Sequence, residues 1–483
     1  LLDIAAHLNT REKPPDIIVL PSAQIMMREI ELKPDELVRR LLSLEADRRL
    51  SLLDSCGTKG ARLLIAGFDP FETIEVRDAD ALNLLDERLK EHASQTSNHN
   101  LPAGACIATF SYDLVQQLER LRTTSQKNLA RTEPDAVFAF YDTLVVHDYE
   151  QRKTFIVTNG ESRRIDEAAE ALLQAHPTDE LEVAAASVAS SNMTRDEYLH
   201  AVLRIKEHIA AGDIYQANLT QQLSCSLPQE LGPEQIFESL RRNHPSPFAA
   251  FIRRAEDTVV SISPERFLRV AAVVHERLVE AWPIKGTRTR GATPVEDVRL
   301  REELLESEKD RAENVMIVDL LRNDLGRVCD YGSVEVAELC AIEEHPTLFH
   351  LVSKVRGHLR DEVTAGQLLR ACFPCGSITG APKIRAMEII EEIETARRGL
   401  SMGAIGYFAF DGSLDLSVAI RTMTIRDNVA RFNVGGGIVA DSDPALEYEE
   451  SLIKARGLLR ALGAGLSTRI SHRGTETQSR KSR

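Results

Sequence analysis

Over roughly the first 185 residues, apolar and polar positions alternate with a period of two. The runs ARLLIAGFDP, GACIATFSYDL, DAVFAFYDTLVVHDY and RKTFIVTNG follow this alternation and carry many β-branched and aromatic side chains. That pattern predicts strands and a mainly β half. Between them, ALNLLDERLKEHASQTSNHN reads as an exposed helix running into a disordered loop. The small, polar ELEVAAASVASSNMT predicts a linker. After it, TRDEYLHAVLRIKEHIAAGD opens with Thr194 and, three residues on, Glu197, which together make a capping box. From about Asn192 to Gly463, helices and strands alternate without βαβ spacing and without a repeat of 20 to 50 residues. The expected organisation is an N-terminal subdomain over 1–190 and a second domain over 191–465. The polar, basic stretch 466–483 is expected to be a disordered tail.

Two helical stretches place carboxylates in pairs. VEDVRLREELLESEKDRAENVMIVDLLRNDLGRVC reads as one helix whose apolar VMIVDLL part is buried, with Asp310 and Glu313 at i and i+3 just before it. SDPALEYEESLIKARGLLRAL repeats the arrangement with Glu447 and Glu450, and Lys454 follows one turn later. Two such pairs facing each other would suit Mg²⁺, which takes one or two carboxylates plus waters and a substrate oxygen. In FNVGGGIVADSD, Gly435, Gly436 and Gly437 could offer consecutive N–H groups to an anion; the spacing is not that of a dinucleotide fingerprint. Arg421, on an apparently alternating VAIRTMTI strand, and Lys454 would add two cations to a carboxylate clamp. Lys285 stands in a tight AWPIKGTRTRG segment between Pro283 and Gly286, after the only tryptophan, Trp282. By position alone it reads as a solvated charge.

Composition narrows the classes. The 483 residues suffice for two to three domain-sized units, and 43% hydrophobic content supports a large core. Fifty-nine Lys and Arg against 74 Asp and Glu give 59 − 74 = −15, which disfavours nucleic acid as a partner. No apolar run is long enough for a bilayer, and the first residues lack the order of a signal peptide, so a soluble, cytoplasmic protein is expected. Seven scattered cysteines make no disulfide framework. The pair Cys372 and Cys375 reads as a loop entering a helix rather than a redox motif, and Cys329 and Cys340 are poorly spaced for zinc.

The segments SISPERFL, PIKGTRTRG, AENVMIVDLLRNDLGRV, FHLVSKVRG, GSITGAPKIRAMEII, GAIGYF, VAIRT, GGGIVADSD and EYEESLIKA, in this order over 193–463, resemble the chorismate-utilising enzymes. That family comprises the anthranilate and aminodeoxychorismate synthase components I and the isochorismate and salicylate synthases. The resemblance implies an α+β fold in which two interleaved subdomains stack mainly antiparallel β-sheets flanked by helices. Lys285 favours the aminodeoxychorismate branch, since anthranilate synthases carry alanine there. Gln216 in DIYQANLT stands where isochorismate-forming members use a lysine base. The implied reaction converts chorismate and ammonia to 4-amino-4-deoxychorismate for 4-aminobenzoate and folate. Anthranilate formation is the nearest alternative, and isochorismate or salicylate formation a more distant one.

By the same resemblance, Lys285 is the nucleophile that adds to the ring, and burial beneath Trp282 and Pro283 would favour the neutral amine it needs. Glu265 is the general acid for the departing hydroxyl. Glu313 and Glu450 match direct Mg²⁺ ligands, with Asp310 and Glu447 acting through water. His350 and Ser377 match substrate-facing positions, and Arg421, Gly435 to Gly437 and Lys454 match the clamp on the enolpyruvyl carboxylate. Departures are Ser401, where relatives have an aromatic residue, and Cys375, where they have glycine; the first implies looser ring packing and the second an oxidisable thiol beside Ser377. The surroundings of Cys106 lack the glycine-flanked elbow of a glutaminase and read as a core strand, so ammonia is expected from a separate glutamine amidotransferase subunit. Relatives also hold tryptophan between their sheets, and Leu53, Ser55, Pro247 and Phe248 loosely match that pocket.

Overall fold

The computed structural model describes residues 18–19, 25–59, 61–94, 101–121, 133–176, 187–273, 276–345 and 348–466. Two sheets, of 14 and 10 strands, carry the fold. Their pairings are antiparallel except for Ser187–Ser191 beside Ala464–Leu466. Strands from both ends of the chain share each sheet. In the larger one Ser51–Asp54 pairs with Phe248–Arg253, and in the smaller one Ala105–Phe110 pairs with Ala404–Ala409.

Period-two alternation explains how the sheets stack. Along Ala105–Phe110, which is buried throughout, Ala105 and Ile107 point into a cluster with Ile65, Val146, Ile252 and Val259 of the larger sheet. Cys106, Ala108 and Phe110 point the other way, into a core with Leu82, Ile317, Leu321 and Leu369 of covering helices. The cysteine is thus a core residue, as its surroundings implied. A third cluster seats the helices Pro34–Leu42, Arg163–Gln174, Pro233–Asn243 and Pro444–Ala461 on the outer face of the larger sheet. The architecture is α+β with stacked sheets and helices outside, and no helix among the described residues is long and apolar enough to cross a membrane.

Several local expectations change. The stretch expected to be a linker contains a short strand, Ser187–Ser191, where hydroxyls rather than apolar side chains meet the neighbouring strand: Ser190 Oγ lies 3.0 Å from Ser224 Oγ. Residues 181–186, the loop at 95–100 and the tail from 467 lie outside the described residues. The capping box of Thr194 and Glu197 forms at the helix Arg195–Ala210. The long acidic helix is two helices, Pro294–Glu306 and Glu308–Gly326, because Ser307 turns extended and its hydroxyl accepts from the Asp310 amide. Only one face of VMIVDLL goes inside: Ile317, Val318 and Leu321 are buried, whereas Val315 is 40% exposed.

Candidate active site

Glu265 occupies the step between the two sheets, one residue after Pro264, where the strand Thr258–Ser263 of the larger sheet leads into Arg266–Val273 of the smaller. The residue is 4% exposed and its Oε1 has no hydrogen-bond partner among the described residues. Burial pushes its carboxyl up to about 6, against the opposing pull of the Ser377 side chain, the Lys285 charge and the Ile284 amide.

Lys285 lies in a strand, Ile284–Thr289, rather than in a loop. The register against Leu348–His358 shifts between Ile284 and Thr287, and Gly286 there adopts φ +87. A Cβ at that glycine would press on Leu304 and Asp310, so the bulge both re-aims the lysine and leaves room for the acidic helix. Lys285 Nζ donates to Ser377 O at 3.2 Å. The indole of Trp282 does not cover it: Trp282 is held between Arg266 at 4.3 Å and Lys354 at 4.6 Å and lines a recess with Pro247, Phe248 and His345.

Ser377 sits in the short helical turn Gly376–Ile378, whose backbone is tied by Thr379 Oγ1 to Cys375 O and Gly376 O and by Arg398 Nη1 to Ile378 O. Arg398 itself is buried against Glu394, a pair that sequence inspection passed over. His350, buried on Leu348–His358, holds Thr287 Oγ1 at 2.9 Å through Nδ1. Burial, then His345 and Arg421, push it down to about 3, so the imidazole is neutral.

Arg421 is not on a strand but in the connection between Leu414–Val418 and Thr422–Arg426, with φ 49. Its guanidinium has no hydrogen bond or ion pair among the described residues, and burial lowers its pKa. A half-buried guanidinium without a carboxylate calls for an anion. The three glycines, Gly435, Gly436 and Gly437, stand in the strand Val429–Ile438, opposite Thr220, Leu219 and Asn218. Gly436 faces charged side chains, where a Cβ would lie 3.2 Å from Glu447 Oε2, 3.5 Å from Lys454 Nζ and 3.7 Å from Glu450 Oε1.

Those side chains belong to the helix Pro444–Ala461, capped by Asp443, and they face the start of Glu308–Gly326. Lys454 donates to Gly435 O at 2.9 Å and to Glu450 at 2.8 Å. Glu447 accepts from Ser442 Oγ at 2.7 Å, and Lys309, a cation not singled out in the sequence, stands 3.7 Å from it. Asp310 is 3.4 Å from Arg288. Burial raises Glu313 against Lys285 and Lys309, with Asp310 and Glu447 adding repulsion, and it has no hydrogen bond or ion pair among the described residues. Burial also acts on Glu450, but Lys454, Lys309 and Lys285 outweigh it and hold that carboxylate low. Among the described residues no three His, Cys, Asp or Glu side chains converge as a ready-made metal shell.

The acid group at Glu265 and Ser377 and the carboxylate cluster therefore share one member, Lys285, whose charge acts on Glu265, Glu313 and Glu450. Gln216, 1% exposed with Oε1 unpartnered, lies beside Gly437. Ser401 bonds the backbone in place of ring packing, donating to Thr422 O and accepting from Asn433 N, both at 3.2 Å. Leu53, Ser55, Pro247 and Phe248 line a separate cavity of about 640 Å³ between the sheets, together with Arg266, Arg269 and Tyr407.

A lysine and a buried acid with clustered carboxylates and a guanidinium unpaired among the described residues are the groups of an enzyme for a small anionic substrate. The chorismate binding enzyme family matches residues 49–460, and the chain belongs to it. Aminodeoxychorismate synthase component 1 of Bacillus subtilis (strain 168) is 36% identical, over 90% of this chain and 96% of that protein. Anthranilate synthase component 1 of Geobacillus stearothermophilus is 37% identical, over 83% of this chain and 86% of that one. The crystal structure of anthranilate synthase component I from Streptococcus pneumoniae TIGR4 superposes with a TM-score of 0.71 at 28% identity, covering 83% of this chain and 92% of that chain.

Proposed function

We propose that this chorismate-utilising enzyme is an aminodeoxychorismate synthase component I, forming 4-amino-4-deoxychorismate from chorismate and ammonia. The observation that carries the reading is Lys285, aimed at the Ser377 loop with its charge felt by the buried acid Glu265. The neutral amine attacks C2 and loses a proton, both ring double bonds shift (C1=C2 to C1=C6, C5=C6 to C4=C5) and the C4 hydroxyl departs. Glu265, whose raised pKa keeps a proton available, protonates that hydroxyl so that it leaves as water. Ammonia then bonds to C4, both double bonds return by the same path in reverse and the lysine is expelled from C2. Arg421 and Lys454, with Gly436 leaving room between strand and helix, bind the enolpyruvyl carboxylate, and neutral His350 and Ser377 orient the ring.

The donor set suits Mg²⁺: it is all oxygen, and Glu313 is a half-buried carboxylate with no partner among the described residues. Glu313 and Glu450 would hold the ion directly, with Asp310 and Glu447 through water, and when bound it would neutralise the ring carboxylate. Ammonia would come from a separate glutamine amidotransferase subunit. Tryptophan is the candidate occupant of the cavity at Leu53, Ser55, Pro247 and Phe248.

Anthranilate synthases are relatives at comparable identity, so the product decides. The chain is incubated with chorismate, Mg²⁺ and ammonium, beside Lys285→Ala, and products are identified by mass spectrometry. Accumulation of 4-amino-4-deoxychorismate that is lost in the variant is expected. Anthranilate from the unmutated chain overturns the reading.

A further inference from the structure

The helix that carries Glu447, Glu450 and Lys454 opens on a polar pair. Asp443 caps it, its carboxylate accepting from the amides of Ala445 and Leu446. Ser442 is the residue before that cap, and Glu447 is the fourth residue inside the helix. Side chains at these two positions meet across the first turn, and where both are apolar they form a staple that fixes the angle at which the chain enters. Here a serine meets a glutamate. Ser442 is 1% exposed and Glu447 4%, and Ser442 Oγ lies 2.7 Å from Glu447 Oε1. Folding alone favours an apolar pair in so buried a place, since a carboxylate taken out of water must be held by donors.

The neighbours fix the direction of the bond. The Val439 amide donates to Ser442 Oγ at 3.1 Å, so the hydroxyl turns its own hydrogen to Glu447 Oε1, because a carboxylate accepts and does not donate. The turn beneath is tied separately, by Ser442 N to Val439 O at 3.0 Å and by Lys206 Nζ to Ser442 O at 2.5 Å. Glu447 Oε2 accepts no hydrogen bond among the described residues. It borders the gap left by the missing side chain of Gly436, and Glu450 Oε1 borders the same gap.

We propose that Ser442 is a positioning residue for the acidic cluster: its hydroxyl pins one oxygen of Glu447 and turns the other toward the gap shared with Glu450, as a water-mediated contact to Mg²⁺ requires. The inference rests on the Mg²⁺ reading of that cluster and not on which product forms. Mg²⁺ is titrated calorimetrically into the full chain, with ammonium withheld, in the presence and in the absence of chorismate, and thermal melts certify that each variant is folded. Ser442→Ala is expected to weaken Mg²⁺ binding about tenfold, the low end of what losing a group behind a metal ligand costs. Ser442→Gly provides a second chain without the hydroxyl, and Ser442→Thr, which keeps it, is expected to bind as the unmutated chain does. Glu447→Ala weakens binding by itself, and in that background Ser442→Ala is expected to add less than about twofold. A serine that merely shaped the helix would displace Glu450 as well, and its loss would weaken binding equally in both backgrounds. Such an equal loss, or unchanged affinity in the folded hydroxyl-free variants, overturns the inference and leaves the metal reading in place. No Mg²⁺ uptake by the unmutated chain in either condition overturns both.

Discussion

Arg421→Met should make the protein more stable and less able to bind chorismate. The guanidinium is half-buried, its pKa is lowered by desolvation, and no carboxylate or acceptor among the described residues meets it. Replacing a buried ion pair by apolar groups of similar volume is neutral or stabilises by about 1–4 kcal/mol, and here no partner would be orphaned. The left-handed φ of 49 is equally costly for arginine and methionine, so backbone strain cancels. A gain of even 1 kcal/mol is about 2 °C or more in melting temperature for large domains. On the substrate side, a charge-assisted bond to a carboxylate is worth about 1.5–3 kcal/mol, so affinity should fall roughly 10- to 150-fold. Calorimetric binding of chorismate without ammonia and a thermal melt of the free chain measure the two effects separately. Arg421 is also one of the charges that hold His350 near 3, so the imidazole midpoint should rise in the same variant, read by NMR. A melting temperature lowered by several degrees with chorismate affinity unchanged would refute the reasoning, since the arginine would then be part of the scaffold.

Further expectations follow from the same geometry. With Glu265 at about 6, activity that needs its proton should decline on the alkaline side with a midpoint near that value, and Glu265→Gln should remove both the activity and the limb. Because the folded pKa lies above the ordinary 4.5, this group favours folding below about 4.5 and loses that contribution as pH rises through about 6; Glu265→Gln should therefore melt higher than the unmutated chain at pH 8. Gly435→Ala drives a methyl against the Leu219 carbonyl oxygen across the ladder and should lower the yield of folded protein. Gly436→Ala instead meets mobile carboxylate and ammonium ends at 3.2–3.7 Å, so it should melt normally and raise the KM for chorismate.

The family and the candidate site residues are legible in the sequence and their arrangement is not, for a reason visible residue by residue. Glu265, Lys285 and Ser377 stand in short motifs, but they lie up to 112 positions apart, from 265 to 377, and only long-range pairing brings them together. The glycine run does not announce itself as part of a strand, because its partner strand, Gln216–Ser226, lies some 200 residues earlier. The helix break at Ser307 escaped because the charged pattern continues through it, although a serine three residues before an acidic one is itself a capping signal. Ser187–Ser191 is hidden because a short strand joined by hydroxyls needs no apolar alternation. Arg421 reads as part of a strand because Val418 to Thr422 alternates as a strand would, while the chain turns there with a left-handed residue. These last exceptions differ in kind. The break and the short strand serve the scaffold. The left-handed Arg421, the bulge at Gly286 and the Oε1 of Glu265, unpartnered among the described residues, are each unfavourable locally, and two side chains connect them: His350 feels Arg421 and the Gly286 backbone, and Lys285 acts on Glu265. Folding alone gives no return for a strained cation, a shifted register and an unsatisfied acid in one place, whereas a substrate bearing carboxylates and a leaving hydroxyl would satisfy the cation and the acid at once.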